Sequence, residues 1–215
     1  KQSNKLEVQR EGMMRIQCAA DFHGKKERYF KFLRGVERNS PDVIVLAGDI
    51  NSSPYFSEFL ESIKVPILAV PGNMDGNVAR NLMEKHAVSI DGKRVIINNL
   101  SFVGVGRAHP FLEKIYCMKE KKWVPFEDVA IDVLVTHIPP KGMMDKMMLG
   151  MHIGSKWIRE VVEEKRPSLV ICGHVHEDYG YITKNTTVVN CSIGRKGEYT
   201  LIDFDDDIKI KMVGY

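Results

Sequence analysis

No run of apolar residues approaches the roughly 20 that a membrane-spanning helix needs, which argues against a membrane partner. Residues 1–12 are polar and charged rather than signal-like; they are expected to form a mobile arm on a cytoplasmic protein. Cysteine is scarce. Cys18, Cys117, Cys172 and Cys191 are widely spaced with no C-x-x-C pair, which excludes a small disulfide framework and points to buried, reduced thiols. Internal repeats and low-complexity tracts are absent, and the short acidic cluster Asp205-Asp206-Asp207 reads as a solvated hairpin turn. Charge of one sign is lacking as well. With 31 basic and 28 acidic residues the net charge is +3, too small to mark a surface that coats nucleic acid, although a nucleic-acid substrate stays open.

What is present is the composition of a folded globule, 44% hydrophobic and 27% charged, a balance that rules out a disordered chain. A length of 215 residues supports one domain, placed at 13–215. Short β-branched runs alternate with helical stretches, the pattern of strands joined by crossover helices. Apolar residues 16–20 run into Asp21-Phe22-His23-Gly24, and 25–38 follow with helical spacing at Tyr29, Phe30, Leu33 and Val36. The unit recurs at 43–47 before Gly48-Asp49, and at 65–70 before Pro71-Gly72-Asn73-Met74-Asp75-Gly76, with helices expected near 56–63 and 77–85. Short strands follow near 95–97 and 102–105, a partly helical stretch at 110–122, a buried-type strand at 131–136 and a helix at 155–165. A strand at 168–172 leads to Gly173-His174-Val175-His176, and strands close the chain at 181–183, 186–190, 199–204 and 208–212. Parallel strands with outer helices, plus antiparallel strands at the end, suit two packed sheets each covered by helices.

In open α/β sheets, ligands gather outside the carboxyl ends of the strands, where loops converge on one crevice. Five loops here carry metal-ligating residue types: Asp21-x-His23, Gly48-Asp49, Gly72-Asn73, His137, and Gly173-His174-Val175-His176. Each piece alone is a weak signal. Their order after apolar strands, and the presence of four of the seven histidines in these loops, make a metal site the reading. Imidazole and carboxylate suit divalent Mn, Fe, Ni or Zn, with Mn the first choice for activity, and the missing thiolate clusters argue against a structural zinc. Two cations roughly 3.5–4 Å apart repel and need an anionic bridge, for which Asp49 is the natural candidate.

The loops resemble the calcineurin-like metallophosphoesterases, whose pattern is D-x-H, G-D, G-N-H-[D/E], a histidine, then G-H-x-H. Thr136-His137-Ile138-Pro139-Pro140 and the 150–155 stretch are similar to the small prokaryotic members. The resemblance spans most of 14–200 and implies an α/β fold, a four-layer α-β-β-α sandwich of two mixed sheets flanked by helices. It implies a first metal on Asp21, His23, Asp49 and His176, and a second on Asp49, Asn73, His137 and His174. The implied activity is phosphoester hydrolysis by a metal-bridging hydroxide, with a phosphodiester favoured over a phosphomonoester and a nucleotide among the candidate substrates. The alternative is a catalytically weak scaffold of the same fold that binds protein partners. A homo-oligomer is left open.

Met74 departs from the pattern by replacing the usual histidine, and a thioether neither gives nor takes a proton at neutral pH. His109 and His152 are the candidates to supply that proton, against the alternative of surface or hydrogen-bonded loop histidines; Arg107 is a phosphate-binding candidate, against a solvated loop arginine, and His86 reads as structural. Asp75 and Asn51 either orient the ligand histidines or simply make tight turns. The loop at 138–153, with Met143, Met144, Met147, Met148 and Met151, is a candidate lid or pocket wall, or else packs in a core or subunit interface.

Overall fold

The computed structural model describes residues 12–51, 54–106, 129–194 and 196–215. Arg107, His109, Cys117, the 110–122 stretch and residues 1–11 of the expected arm lie outside the described residues. The described chain runs β1 (Met14–Ala19), α1 (Lys26–Asn39), β2 (Val43–Ala47), α2 (Pro54–Ser62), β3 (Ile67–Val70), α3 (Asn77–Lys85), β4 (Arg94–Ile97) and β5 (Leu100–Val105). It continues with β6 (Val133–Thr136), α4 (Lys156–Lys165), β7 (Leu169–Cys172), β8 (Gly180–Thr183), β9 (Thr187–Asn190), β10 (Tyr199–Phe204) and β11 (Ile208–Val213).

These strands form two mixed sheets, one ordered β11-β10-β1-β2-β3 and the other β4-β5-β6-β7-β9-β8. In the first, β1, β2 and β3 are parallel while β10 and β11 run against them. In the second, β5, β6, β7 and β9 are parallel, and the edge strands β4 and β8 are antiparallel. Asp205–Asp207 turn the β10–β11 hairpin, as their composition suggests.

The alternation of side chains along each strand sorts the core into three layers. Ile16, Cys18, Val43 and Val45 face inward to meet Phe102, Val133, Val135, Ile171 and Val189 of the other sheet. Their neighbours Ala19, Ile44 and Leu46 face outward beneath Tyr29, Phe32, Phe56 and Phe59 of α1 and α2. On the far side, Leu134, Val170 and Val188 pack against Trp157, Ile158, Val161 and Val162 of α4. Helix, sheet, sheet, helix is therefore the order of layers. Strands β2, β3, β6, β7 and β9 are buried at every position, which is why they read as unbroken apolar runs. Edge strands β4 and β8 alternate between exposed and half-buried residues.

Helix α4 starts where Ser155 Oγ accepts from the Ile158 amide at 3.1 Å, an N-cap that satisfies an otherwise unpaired donor. Helix α1 ends on Ser40 in the left-handed region, and Pro41 prevents continuation. Cys18, Cys172 and Cys191 are buried free thiols. Among the described residues, no helix is long and apolar enough to cross a membrane. Because Ile171 is fully buried between the sheets, Ile171→Ala should cost about 2–5 kcal/mol in urea unfolding at constant m-value. A loss well under 1 kcal/mol would show that the inter-sheet layer is not the packed core.

Candidate metal centre

All seven expected ligands leave the carboxyl ends of strands. Asp21 and His23 follow β1, Asp49 follows β2, Asn73 follows β3, His137 directly follows β6, and His174 and His176 follow β7. The two sheets meet there. Ala20 N donates to Cys191 O at 3.1 Å and Ile193 N donates to Ala20 O at 3.1 Å, which joins the end of β1 to the continuation of β9. Gly173 permits this approach, because a Cβ there would lie 2.3 Å from the Ala20 methyl carbon and 2.9 Å from Asp21 Oδ2. Gly48, at φ +89°, would place a Cβ 2.5 Å from His137 Nδ1.

Four of the expected ligands have left-handed backbones: Asp21 at φ 67°, His23 at 49°, Asp49 at 51° and His174 at 71°. Such non-glycine conformations cost on the order of 1–3 kcal/mol each and persist only where surroundings enforce them. Here Asp21 N donates to Gly48 O at 3.0 Å, His23 N to Asp49 O at 2.9 Å, and His174 N to Asp21 Oδ2 at 3.0 Å.

The side chains form two adjoining groups, Asp21 with His23 and His176, and Asp21 with Asp49 and His137, each with its ligand atoms within 4.8 Å of one another. In the first, the Nε2 atoms of His23 and His176 face each other at 3.2 Å and lie 3.8 and 3.3 Å from Asp21 Oδ1. In the second, His137 Nε2 is 3.5 Å from Asp49 Oδ2 and 2.9 Å from Asn73 Oδ1, and the His174 ring sits 5.1 Å from that of His137. Asp21, Asp49 and His137 form a buried floor, while Asn73 and His176 lie at an exposed rim. The cluster is closed below and open to ligand above.

Electrostatics follow from that burial. Burial by itself raises the Asp21 pKa, but the imidazoles of His176 and His137 outweigh it and bring the carboxyl to about 2. Burial likewise opposes ionisation of Asp49, and contact with His137 and the Met74 amide, which donates to Oδ1 at 2.7 Å, leaves its pKa lowered. Burial would discharge His137, yet Asp49 and Asp21 raise it to about 9. Burial and the charge of His137 lower His174 to about 4. His137 Nδ1 donates to Ala47 O at 2.8 Å, and a carbonyl can only accept, so Nε2 is the atom left to bind a cation.

The residues present fit a divalent cation. Asp21 Oδ1 is fully buried and has no hydrogen-bond partner, and it faces imidazole nitrogens within 3.8 Å. A buried carboxylate oxygen without a donor is costly, and a cation between it and those nitrogens would satisfy all three atoms.

Two further residues support the loops, and Asp75 takes the turn-making alternative. Asp75 binds backbone rather than histidine: it accepts from Ile50 N at 3.3 Å, Asn51 N at 2.6 Å and Gly72 N at 2.8 Å, tying the Asp49 loop to the Asn73 loop. Asn51 takes part through that amide. The Arg28 guanidinium donates to the carbonyls of Asp21 and Gly194 and clamps the first loop. Its sole sequence signal is a basic residue on the first turns of α1, just after the D-x-H loop.

His152 is engaged elsewhere in its loop, with Nδ1 2.6 Å from the buried Asp145 carboxylate, whose other oxygen accepts from Gly142 N and Gly154 N at 3.0 and 2.9 Å. His109 lies outside the described residues. The loop methionines divide: Met143 is buried in the α4 layer, whereas Met148 and Met151 are exposed.

The family model of calcineurin-like phosphoesterases matches residues 14–178, a span that holds every residue of the cluster. The chain belongs to that family. This phosphoesterase is 31% identical over 200 residues to an uncharacterized protein, MJ1162, of Methanocaldococcus jannaschii, covering 83% of this chain and 88% of the relative. It is 26% identical over 172 residues to a Pseudoalteromonas protein named a probable cyclic nucleotide phosphodiesterase, covering 71% and 63% of the two chains. A dimetal phosphatase structure from Danio rerio superposes with a TM-score of 0.64 over 94% of this chain and 96% of that one, at 12% identity, a likeness of fold. Family membership and the buried Asp/His cluster make this chain a metal-dependent phosphoesterase.

One consequence is measurable on the metal-free protein. With its pKa raised to about 9, His137 is protonated at pH 7 and loses that proton only above the raised value, so a cation must displace it. Calorimetric titration of metal-free phosphoesterase with Mn²⁺ at pH 7, in buffers of differing ionisation enthalpy, should show net proton release, to which His176, also raised by Asp21, adds beside His137. Binding with no proton release would contradict the His137 assignment.

Proposed function

We propose that this phosphoesterase hydrolyses phosphodiesters with two divalent cations, the first held by Asp21, His23, Asp49 and His176 and the second by Asp49, Asn73, His137 and His174. The observation that carries the reading is the buried Asp21 Oδ1, without a hydrogen-bond partner and facing two imidazole nitrogens, beside a second group built on His137. Imidazole, carboxylate and amide-oxygen donors without thiolate suit Mn, Fe, Ni or Zn, and manganese is our first choice to test for activity. Asp21 is the acid within 4.8 Å of both groups, and Asp49 meets the second. Asp49 is nevertheless assigned as the bridge, as the family resemblance implies, while Asp21 Oδ2 is spent on the His174 amide.

When bound, such cations supply a water of lowered pKa as nucleophile and neutralise charge on the phosphoryl oxygens. The chain's own residues orient and hold. Ala47 O fixes the His137 tautomer, Arg28 and Asp75 fix the loops, and Asn73 at the rim is placed to meet substrate. The name of the Pseudoalteromonas relative favours a diester, and a nucleotide diester is the substrate class we favour.

Met74 is 58% exposed beside Asp49 and offers no proton to a leaving group. His152, with Nδ1 on Asp145, and His109 are the candidate substitutes. With Mn²⁺ the protein should hydrolyse bis(4-nitrophenyl) phosphate, and unless one of these histidines supplies the proton, dialkyl esters should lag by roughly 10²-fold or more. No turnover with Mn²⁺, Ni²⁺ or Zn²⁺ on diesters or monoesters would sink the catalytic reading. Equal rates for aryl and alkyl esters would mean that a histidine replaces the acid, and His152→Ala and His109→Ala would identify which.

Asp49→Asn should lower metal content from about two ions per chain to below one, whereas His176→Ala should retain about one. Elemental analysis of the purified variants decides. Two ions retained in Asp49→Asn would transfer the bridging role to Asp21.

A further inference from the structure

A cavity of about 570 Å³ opens next to the cluster, with His176 in its wall. Tyr179 and Tyr215 also line it, their rings 4.5 Å apart and inclined by 30°. Tyr215 is locked in place. Its hydroxyl donates to Ser192 O at 3.0 Å, and its ring lies so close to Gly197 that an added Cβ would be 2.6 Å away. Tyr179 rests on this fixed ring and is itself 45% exposed. Met148 contributes to the same lining and is 84% exposed. Its loop is anchored to the segment carrying the histidines: Lys146 N donates to Asp178 Oδ2 at 2.7 Å, and Asn190 Nδ2 donates to the carbonyls of Met144 and Val175 at 3.2 and 2.9 Å.

The wall chemistry limits what fits. Glu177 and Lys196 bring opposite charges, so the cavity has no net attraction for a second phosphate. An aromatic ring backed by a second ring, with a polarizable thioether nearby, is a surface on which planar π-systems stack. The volume is that of a pocket for a ligand of drug or nucleoside size, larger than a single phenyl ring requires.

We propose that this cavity is the subsite for one ester group of the substrate and that it takes a nucleobase, stacked on Tyr179 and flanked by Met148, while the phosphate lies at the His176 side. The proposal rests on the phosphodiesterase reading for its chemistry, but the subsite is made of side chains that are present without metal. Its test therefore has two arms.

In the first, kcat/KM is compared for thymidine 5′-(4-nitrophenyl) phosphate, bis(4-nitrophenyl) phosphate and methyl 4-nitrophenyl phosphate in the Mn²⁺-loaded protein. Tyr179→Ala should lower the value for the thymidine ester on the order of tenfold, chiefly through KM, and Tyr179→Phe should restore it. Methyl 4-nitrophenyl phosphate should be unaffected within about twofold, because it has no ring to place there besides its leaving group. A loss for the bis-aryl ester that matches the loss for the thymidine ester would make the subsite one for simple aryl groups and overturn the nucleobase assignment.

In the second arm, thymidine 5′-monophosphate is added to metal-free protein and the thymine resonances are followed by ligand-observed NMR. Broadening should be seen with the parent and with Tyr179→Phe, and be lost with Tyr179→Ala and weakened with Met148→Ala. If no ester is cleaved yet thymine binds through Tyr179, the catalytic reading falls and the subsite stands. If the parent does not bind thymidine 5′-monophosphate, or Tyr179→Ala binds it as the parent does, the subsite is overturned.

Discussion

Two backbone hydrogen bonds at Ala20 set the geometry of the whole centre. They fasten the end of β1, in one sheet, to the residues that follow β9 in the other. Asp21, His23, Asp49 and Asn73 come from the first sheet, and His137, His174 and His176 from the second. Neither sheet holds a complete site. The distances that matter chemically, such as 3.3 Å between Asp21 and His176, are distances across the inter-sheet layer. That layer is a close-packed set of apolar side chains, so the positions of the ligands inherit its rigidity.

The cost of that arrangement is concentrated in a few residues. Four left-handed non-glycine backbones and a buried carboxylate oxygen without a donor occupy the same crevice. The buried thiols of Cys172 and Cys191, with pKa values pushed upward by burial, stay neutral and add no negative charge nearby. The crevice thus gathers anionic oxygen and imidazole nitrogen while excluding thiolate, which is the donor set a hard or borderline divalent cation prefers. Local strain of this kind is tolerated because Arg28, Asp75 and the strand-end hydrogen bonds hold the loops independently of any ligand.

Much of this was legible in the sequence because burial on both faces leaves a plain trace. Residues 43–47 and 169–172 read as strands since every side chain there is enclosed, and the acids and histidines just beyond them could be placed in one crevice. The backbone of the crevice was not legible: Asp, His and Asn enter the left-handed region without the glycine that would announce it. Nor was the use of Asp75. A carboxylate's partner depends on which loops fold against each other, and three amides from two loops reach it before any histidine does. Arg28 and Gly194 are 166 residues apart, a separation over which sequence spacing carries no information. The loop methionines could not be divided into buried and exposed members, because an irregular segment has no period to sort them.

The position of β10 has a consequence for how the chain comes into being. β1 is flanked by β2, an early strand, and by β10, which is nearly the last. During synthesis every cluster residue through His176 emerges before the partner that covers the other edge of β1. Until residues 199–204 follow, that edge presents unpaired amides and carbonyls beside mostly buried side chains, the kind of surface that pairs with foreign strands. Such long-range closure also makes folding slow relative to proteins built from local contacts. Closure of the first sheet therefore waits on residues made after every candidate metal ligand.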